Sequence, residues 1–307
     1  MARLNWELIH RGSVKEKYRV EPGKLAFVFS DRFSAFDIGP HPQTIPGKAE
    51  AVCACAVRSF KIARQVGVPT HFIEQIDDVT ILVKEAQVIT DRPLSTQDTN
   101  YVVPVEWISR FRVAGSIDRD FREGRKMPTD YGFPTDNPPR LGTPFPYPVH
   151  QSTTKFERLD REISHEEACA MAGLSPKDAE EYWAMIDRLN GAIGLAVAQT
   201  GYAHLDGKME CVMGPDRTKM IADVFGTPDE DRFCPVIELN QGQLVHYSKE
   251  HMRQLFIEKG FYKELTEARA AHKPEPPYPF LSAGEITVIT NRYTTFAGIY
   301  TGVRIRV

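Results

Sequence analysis

Arginine and small residues meet at one point of the chain in a pattern suited to holding an anion. Arg110-Phe-Arg-Val-Ala-Gly-Ser116 follows an apolar run at residues 101–109, which reads as a buried strand with Pro104 near its start. The guanidinium groups of Arg110 and Arg112, two residues apart, point to the same side of an extended backbone. Each carries a planar fork of donors matched to phosphate or carboxylate. The Ala-Gly-Ser turn lets backbone N–H groups and the Ser116 hydroxyl approach the same anion. An arginine pair on a solvated strand face is the other reading, and the short motif alone leaves both open.

A second cluster holds carboxylates. Residues 202–213 alternate as a strand does and place Asp206, Lys208 and Glu210 on one face. Charges crowded on a strand face cost desolvation unless they meet a ligand or a metal. The next run, 218–225, reads as a second strand carrying Asp223, and a hairpin of the two brings Glu210 and Asp223 together. Two carboxylates with an open coordination sphere suit Mg²⁺, which otherwise keeps waters and phosphate oxygens. A solvated hairpin face with internal ion pairs accounts for the same residues. Near the start, Arg11-Gly-Ser-Val-Lys15, the turn at Pro22-Gly23 and the run 25–30 read as a hairpin. Gly12 lets the backbone approach a ligand and Lys15 supplies a compact positive charge. Either a glycine loop with a strand lysine covers a nucleotide, or this is a surface hairpin with ordinary lysines.

The elements that position these groups are legible in outline. Residues 49–64 keep helical spacing through Val52, Ala56, Phe60 and Ala63, and Gly67 and Pro69 end the run. Residues 79–84 read as a strand, 91–100 as a polar loop and 118–123 as a short helix. The proline-rich stretch 127–148 reads as an ordered covering loop or a linker. Ser164 opens a helix with a capping box, and Ser175-Pro176 opens another that runs to about Gln199. Its positions Tyr182, Met185, Ile186, Leu189, Ile193 and Ala196 are core spacing. A capped helix is expected from Ser248 to Gly260. Residues 283–307, rich in Thr, Val, Ile and Tyr, favour strands by local propensity.

Composition narrows the function classes. A net charge of -3 offers no basic field for nucleic acid, and no apolar run is long enough to span a membrane. The N-terminal residues lack the apolar segment of a signal peptide. The five cysteines are scattered, and Cys53-Ala-Cys55 is too tight for a zinc ribbon. Buried reduced thiols in a cytoplasmic protein are the expectation.

In their order along nearly the whole chain, these segments resemble the SAICAR synthetase family, the phosphoribosylaminoimidazole-succinocarboxamide synthases of purine biosynthesis. The matching motifs are Arg11-Gly-Ser-Val-Lys15, Ser30-Asp-Arg-Phe-Ser-Ala-Phe-Asp37, Ile45-Pro-Gly-Lys48, and Val103-Pro-Val-Glu106 with 110–116. They continue with Ser152-Thr-Thr-Lys155, Asp206-Gly-Lys-Met-Glu210, Asp223, Thr227-Pro-Asp-Glu-Asp-Arg232 and Ser248-Lys249. The resemblance implies an α+β chain of SAICAR synthase-like fold. A β-rich, kinase-like nucleotide-binding lobe would occupy residues 1–105. A larger ATP-grasp-like α/β lobe, 106–307, would bind substrate and metal, with ATP between the lobes. The implied reaction is ATP-dependent amide formation between carboxyaminoimidazole ribonucleotide and L-aspartate through an acyl phosphate, by a monomer or homodimer using ATP and Mg²⁺.

Residue by residue, the resemblance puts Lys15 on the ATP phosphates with Gly12 and Ser13, and Val83, Lys84 and Glu85 near the adenine. Glu210 and Asp223 would hold Mg²⁺. Arg110, Ser116 and Arg232 would grip the ribotide phosphate, with Asp206 and Lys208 beside the imidazole; Lys15, Asp206 and Lys208 are the expected catalytic groups. Ser34, Asp37 and Lys155 would bind substrate, and Lys249 and Arg253 are further candidates. The chain also departs from the pattern. Ser13 replaces a lysine, Val224 a glutamate and Cys234 a tryptophan, while Glu230 and Asp231 stand where small residues are usual beside Arg232. Both acids are expected to weaken anion binding. The segment 286–293 aligns with a family helix against its own propensity. The rivals are a ligase or kinase with another acid or amine, and a nucleotide-binding relic; the retained Lys15, Glu210 and Asp223 stand against the relic.

Overall fold

The structure, a computed structural model, describes residues 6–306. In chain order its first elements are β1 (Glu7–Arg11), β2 (Lys15–Glu21), β3 (Lys24–Phe29), α1 (Lys48–Gln65), β4 (Phe72–Asp77) and β5 (Thr80–Lys84). Then come β6 (Tyr101–Arg112), α2 (Ser116–Arg122), β7 (Pro144–Thr154), β8 (Glu162–Ile163), α3 (His165–Ala172) and α4 (Pro176–Ala198). The remainder is β9 (Tyr202–Met213), β10 (Lys219–Ala222), β11 (Arg232–Pro235), α5 (Val236–Asn240), α6 (Glu250–Glu258), α7 (Phe261–Ala270) and α8 (Ala283–Thr301). The class is α+β, with two antiparallel sheets.

The chain divides into two units, and the division is not the single boundary expected between 105 and 106. One unit runs through Val57, takes in Phe72–Glu85 and resumes at His246; the other holds Arg58–His71 and Ala86–Val245. Two facts account for this. Strand β6 is central to the second unit's sheet, so residues 86–105 go with it, and the C-terminal helices complete the first unit.

In the first unit the sheet order is β1-β2-β3-β5-β4. The Pro22-Gly23 turn closes β2 onto β3, with Gly23 at a φ of +82° that a side chain would resist. Helix α8 overturns the strand expectation for residues 283–307. Ser282 and Glu285 form a reciprocal capping box, and Ile289, Tyr293, Phe296, Ala297 and Tyr300 are buried along one stripe. The three-to-four spacing of those residues, together with the cap, outweighs β-branched propensity. Helix α6 starts later than expected: Lys249 is its N-cap, and Ser248 Oγ accepts the Glu250 N–H at 3.4 Å.

In the second unit the path is β10-β9-β6-β7-β8, with β11 on the remaining stretch of β9. Helix α4, capped by Ser175 and Asp178, lays Tyr182 against Trp107 of β6, and the Tyr182 hydroxyl donates to the Val212 carbonyl at 2.9 Å. The proline-rich stretch is not a linker. Tyr131 and Phe133 pack on the buried cluster Val113, Ile117, Phe121, Phe145 and Val149, and residues 144–148 belong to β7. All five cysteines are buried and unbonded to one another, as expected. Among the described residues no helix is long and apolar enough to cross a membrane.

Candidate active site

Register decides which charges meet. Strand β6 runs antiparallel to β9 with Glu106 opposite Glu210, Ile108 opposite Lys208 and Arg110 opposite Asp206. On the other side of β9, Arg232 of β11 also faces Asp206, and Ala222 of β10 faces Glu210. Period-two alternation then brings the charges, spaced by even numbers of residues, to one face. Arg110, Asp206, Lys208, Glu210 and Arg232 thus lie on neighbouring strands of one sheet, with Asp223 just past the end of β10 and Ser116 at the start of α2.

At one end, Arg110 is 6% exposed and fully engaged. It donates to Gln151 Oε1 at 3.1 and 2.7 Å, to Ser116 Oγ at 3.2 Å and to Asp206 Oδ2 at 3.5 Å. The same Asp206 oxygen accepts from Arg232 Nη1. One carboxylate therefore holds two guanidinium groups. Burial pulls the Arg110 guanidinium below its ordinary range, and Asp206 opposes that pull. Gly115 is required here: its φ is +65°, and a Cβ would come within 2.9 Å of the Arg232 guanidinium. Arg112 does not join this group. A register shift in the β6–β7 pairing falls between Arg110 and Arg112, and Arg112 donates to the Gly142 carbonyl at 3.1 Å.

At the other end, Lys155 Nζ lies 2.5 Å from Glu210 Oε1. Lys208 Nζ bridges Glu106 Oε1 at 2.8 Å and Glu230 Oε2 at 3.1 Å. Burial pushes the Glu106 carboxyl up to about 7, with Lys208 opposing and Glu210 reinforcing the shift. Burial works against the Lys208 ammonium, but Glu230, Glu106 and Glu210 outweigh it and hold the group above its ordinary range. Lys155 is likewise raised: Glu210 and Asp223 overcome its desolvation. Strand β10 ends at Ala222, short of the expected 225, because Asp223 takes a φ of +55°. The segment before β4 fixes that conformation. His71 N–H donates to the Ile221 carbonyl, and its Nε2 lies 3.1 Å from the Asp223 carbonyl oxygen.

This donor set fits Mg²⁺. Among the described residues no group of three or more His, Cys, Asp or Glu stands ready for a metal ion. Glu210 and Asp223 instead offer hard oxygens from two side chains, as suits an ion that keeps waters and phosphate oxygens.

The model of the SAICAR synthetase family matches residues 8–268. A phosphoribosylaminoimidazole-succinocarboxamide synthase of Thermoplasma volcanium is 34% identical over 287 residues, covering 94% of this chain and 96% of its own. The chain belongs to the SAICAR synthetase family. Solved structures share the fold. A SAICAR synthase from Saccharomyces cerevisiae complexed with SAICAR aligns with a TM-score of 0.72 at 18% identity, over 98% of this chain and 97% of that one. A SAICAR synthetase in complex with ADP aligns with a TM-score of 0.68 at 20% identity, over 97% and 99%.

Against the family pattern, the two unusual acids separate. Glu230 faces Lys208, whereas Asp231 is 2% exposed and turned inward, its Oδ2 2.7 Å from His204 Nε2 and its Oδ1 accepting the Gly226 N–H at 2.9 Å. Asp231 therefore does not oppose an anion directly, as its sequence position suggested. Val224 and Cys234 are both buried. Gln151 and Glu106 were missed as site residues. Glu106 was within reach, since it shares strand parity with Arg110; Gln151 carried no signal, because its role arises only from β6–β7 pairing.

The remaining SAICAR synthetase motifs lie in the first unit. Lys15 is buried on β2, its Nζ 5.2 Å from the Phe27 ring centroid, and its carbonyl accepts the Gly12 N–H at 2.9 Å. Ser13 lies in the turn between them. Val83 is buried in β5, Lys84 is exposed, and the Glu85 carboxylate is held by Arg19 at 2.7 Å and by the Gly23 N–H at 3.3 Å. Ser34 and Asp37 flank Ala35, whose N–H and carbonyl both meet the Tyr278 hydroxyl, at 2.8 and 2.6 Å. Phe36 and Asp37 take φ values of 57° and 58°, and Arg269 donates to the Phe36 carbonyl at 2.7 Å.

Proposed function

We propose that this chain is an ATP-dependent ligase that joins carboxyaminoimidazole ribonucleotide to L-aspartate through an acyl phosphate. Membership of the SAICAR synthetase family supports the reaction class, and the relatives solved with ADP and with SAICAR support nucleotide and ribotide binding. The observation that carries the reading is the shared grip of Arg110 and Arg232 on Asp206, one strand face along from Lys208 and Glu210.

The chemistry explains this layout. A carboxylate is a poor acyl donor because oxide would have to leave. Transfer of the ATP γ-phosphoryl to a carboxylate oxygen releases ADP and makes phosphate the leaving group. The aspartate amine then attacks the acyl carbon, phosphate departs with the C–O bond electrons, and the nitrogen loses its proton to form the amide. Both steps crowd anions, so positioning and charge neutralisation dominate. Arg110, Ser116 and Arg232 would bind the ribotide phosphate, and Lys208, anchored by Glu106, would neutralise the reacting carboxylate. Asp206 keeps the two guanidinium groups in place. Lys15 with Gly12 and Ser13 would meet the ATP phosphates, and Ser34 and Asp37 would contact substrate. Glu210 and Asp223 would hold Mg²⁺, which supplies charge neutralisation on phosphate oxygens when bound.

The test is product formation from ATP, aspartate and the carboxylated ribotide, followed as ADP release coupled to the succinocarboxamide. ATP turnover without that amide would defeat the reading. Glu230 on Lys208 favours one second reading, a different acid or amine, so the same assay with other amino acids separates the two.

A further inference from the structure

Next to Arg232 the chain carries a buried histidine–carboxyl hydrogen bond that the reaction scheme does not use. Asp231 and His204 are 2% and 7% exposed, bound at 2.7 Å, and the His204 ring stacks on Phe233 and lies 4.9 Å from Phe111. The other ring nitrogen, Nδ1, is buried with no hydrogen-bond partner. A buried histidine–carboxyl hydrogen bond with an unmet ring nitrogen is costly to keep for packing alone.

What the pair does control is the turn that delivers Arg232. Asp231 Oδ1 accepts the Gly226 N–H at 2.9 Å, and the Asp231 N–H closes onto the Thr227 carbonyl at 2.9 Å. Beyond the turn, the β11–β9 register shifts between Arg232, which faces Asp206, and Phe233, which faces His204. The His204–Asp231 bond spans that irregularity, where backbone pairing by itself fixes position poorly. Gly207 makes the room: a Cβ there would sit 2.5 Å from Asp231 Oδ2 and 3.1 Å from His204 Nε2.

We propose that His204 and Asp231 are positioning residues: a buried clamp that sets the Arg232 guanidinium for the ribotide phosphate. The inference rests on the reading of Arg232 as a phosphate ligand. Steady-state kinetics with each substrate varied test it on Asp231→Ala, Asp231→Asn, His204→Phe and Arg232→Ala. Asp231→Ala and His204→Phe should each raise the ribotide KM about tenfold, with the ATP KM and kcat within about twofold. Asp231→Asn, which can still accept from Gly226, should recover most of the loss. Where Asp231→Ala does not fold, His204→Phe, which keeps the aromatic stack, carries the same test. A ribotide KM unchanged in His204→Phe while Arg232→Ala raises it would overturn the clamp. So would equal rises in both KM values with a lowered melting temperature. An Arg232→Ala chain with unchanged ribotide KM would instead remove the phosphate assignment itself.

Discussion

Lys155 and Glu210 are bound to one another, Nζ to Oε1, at 2.5 Å, and the charge of Asp223 acts on the same ammonium. A positive charge is thus already drawn to the carboxylates that would hold Mg²⁺, as this concentration of negative charge requires. Glu210→Gln keeps the shape and removes the charge. It should lower kcat at least about 100-fold while leaving the melting temperature within a few degrees. Full ATP-coupled turnover in that variant would remove the metal assignment, and chelation of divalent cations should stop turnover of the unaltered chain.

Glu106 should make stability pH-dependent. Its carboxyl is raised from the ordinary 4.5 to about 7, so between those values the folded chain keeps a proton that the unfolded chain releases. Its contribution is therefore present in full below pH 4.5 and lost as pH rises to 7, and amounts to about 3 kcal/mol at most. The melting temperature of the unaltered chain should fall more between pH 5 and 8 than that of Glu106→Gln. Parallel curves for the two proteins would show that Glu106 ionises normally.

Glu230 competes for Lys208. Its carboxylate sits 3.1 Å from the ammonium that, in the proposed reaction, would meet the anionic substrate. A partly exposed pair of this kind is worth up to about 1 kcal/mol, so Glu230→Gln should lower the ribotide KM by about two- to fivefold. A raised ribotide or aspartate KM would mean instead that Glu230 holds substrate.

Tyr278 pins the loop that carries Ser34 and Asp37, through both polar groups of the Ala35 backbone. Tyr278→Phe leaves a half-buried N–H without that acceptor and should cost about 1–3 kcal/mol, read as a lower melting temperature. With Asp37 in its left-handed conformation no longer braced, the KM for aspartate or ribotide should rise. Unaltered kinetics in a destabilised chain would confine the loop to a structural role.

Much of the site was legible because strands repeat every two residues. The parity of Asp206, Lys208 and Glu210 held, and so did the hairpin that carries Asp223 toward Glu210. The pairing of Arg110 with Arg112 did not, because a register shift separates them and each found different partners. Arg232 became the companion of Arg110 through a carboxylate 96 residues from Arg110 in the chain. Residues 283–301 misled for another reason: β-branched composition is a weak preference, and burial of one helical stripe exceeded it.

The sequence by itself determined the chemical inventory, the α+β class and the family, since motif order and residue type do not depend on how the chain closes. Only the tertiary structure decided that Asp231 turns inward to His204 while Glu230 turns to Lys208, and that Gln151 and Tyr278 serve residues 41 and 243 positions away. Neighbours so distant are set by strand register and core packing, which are properties of the whole chain and not of any local stretch.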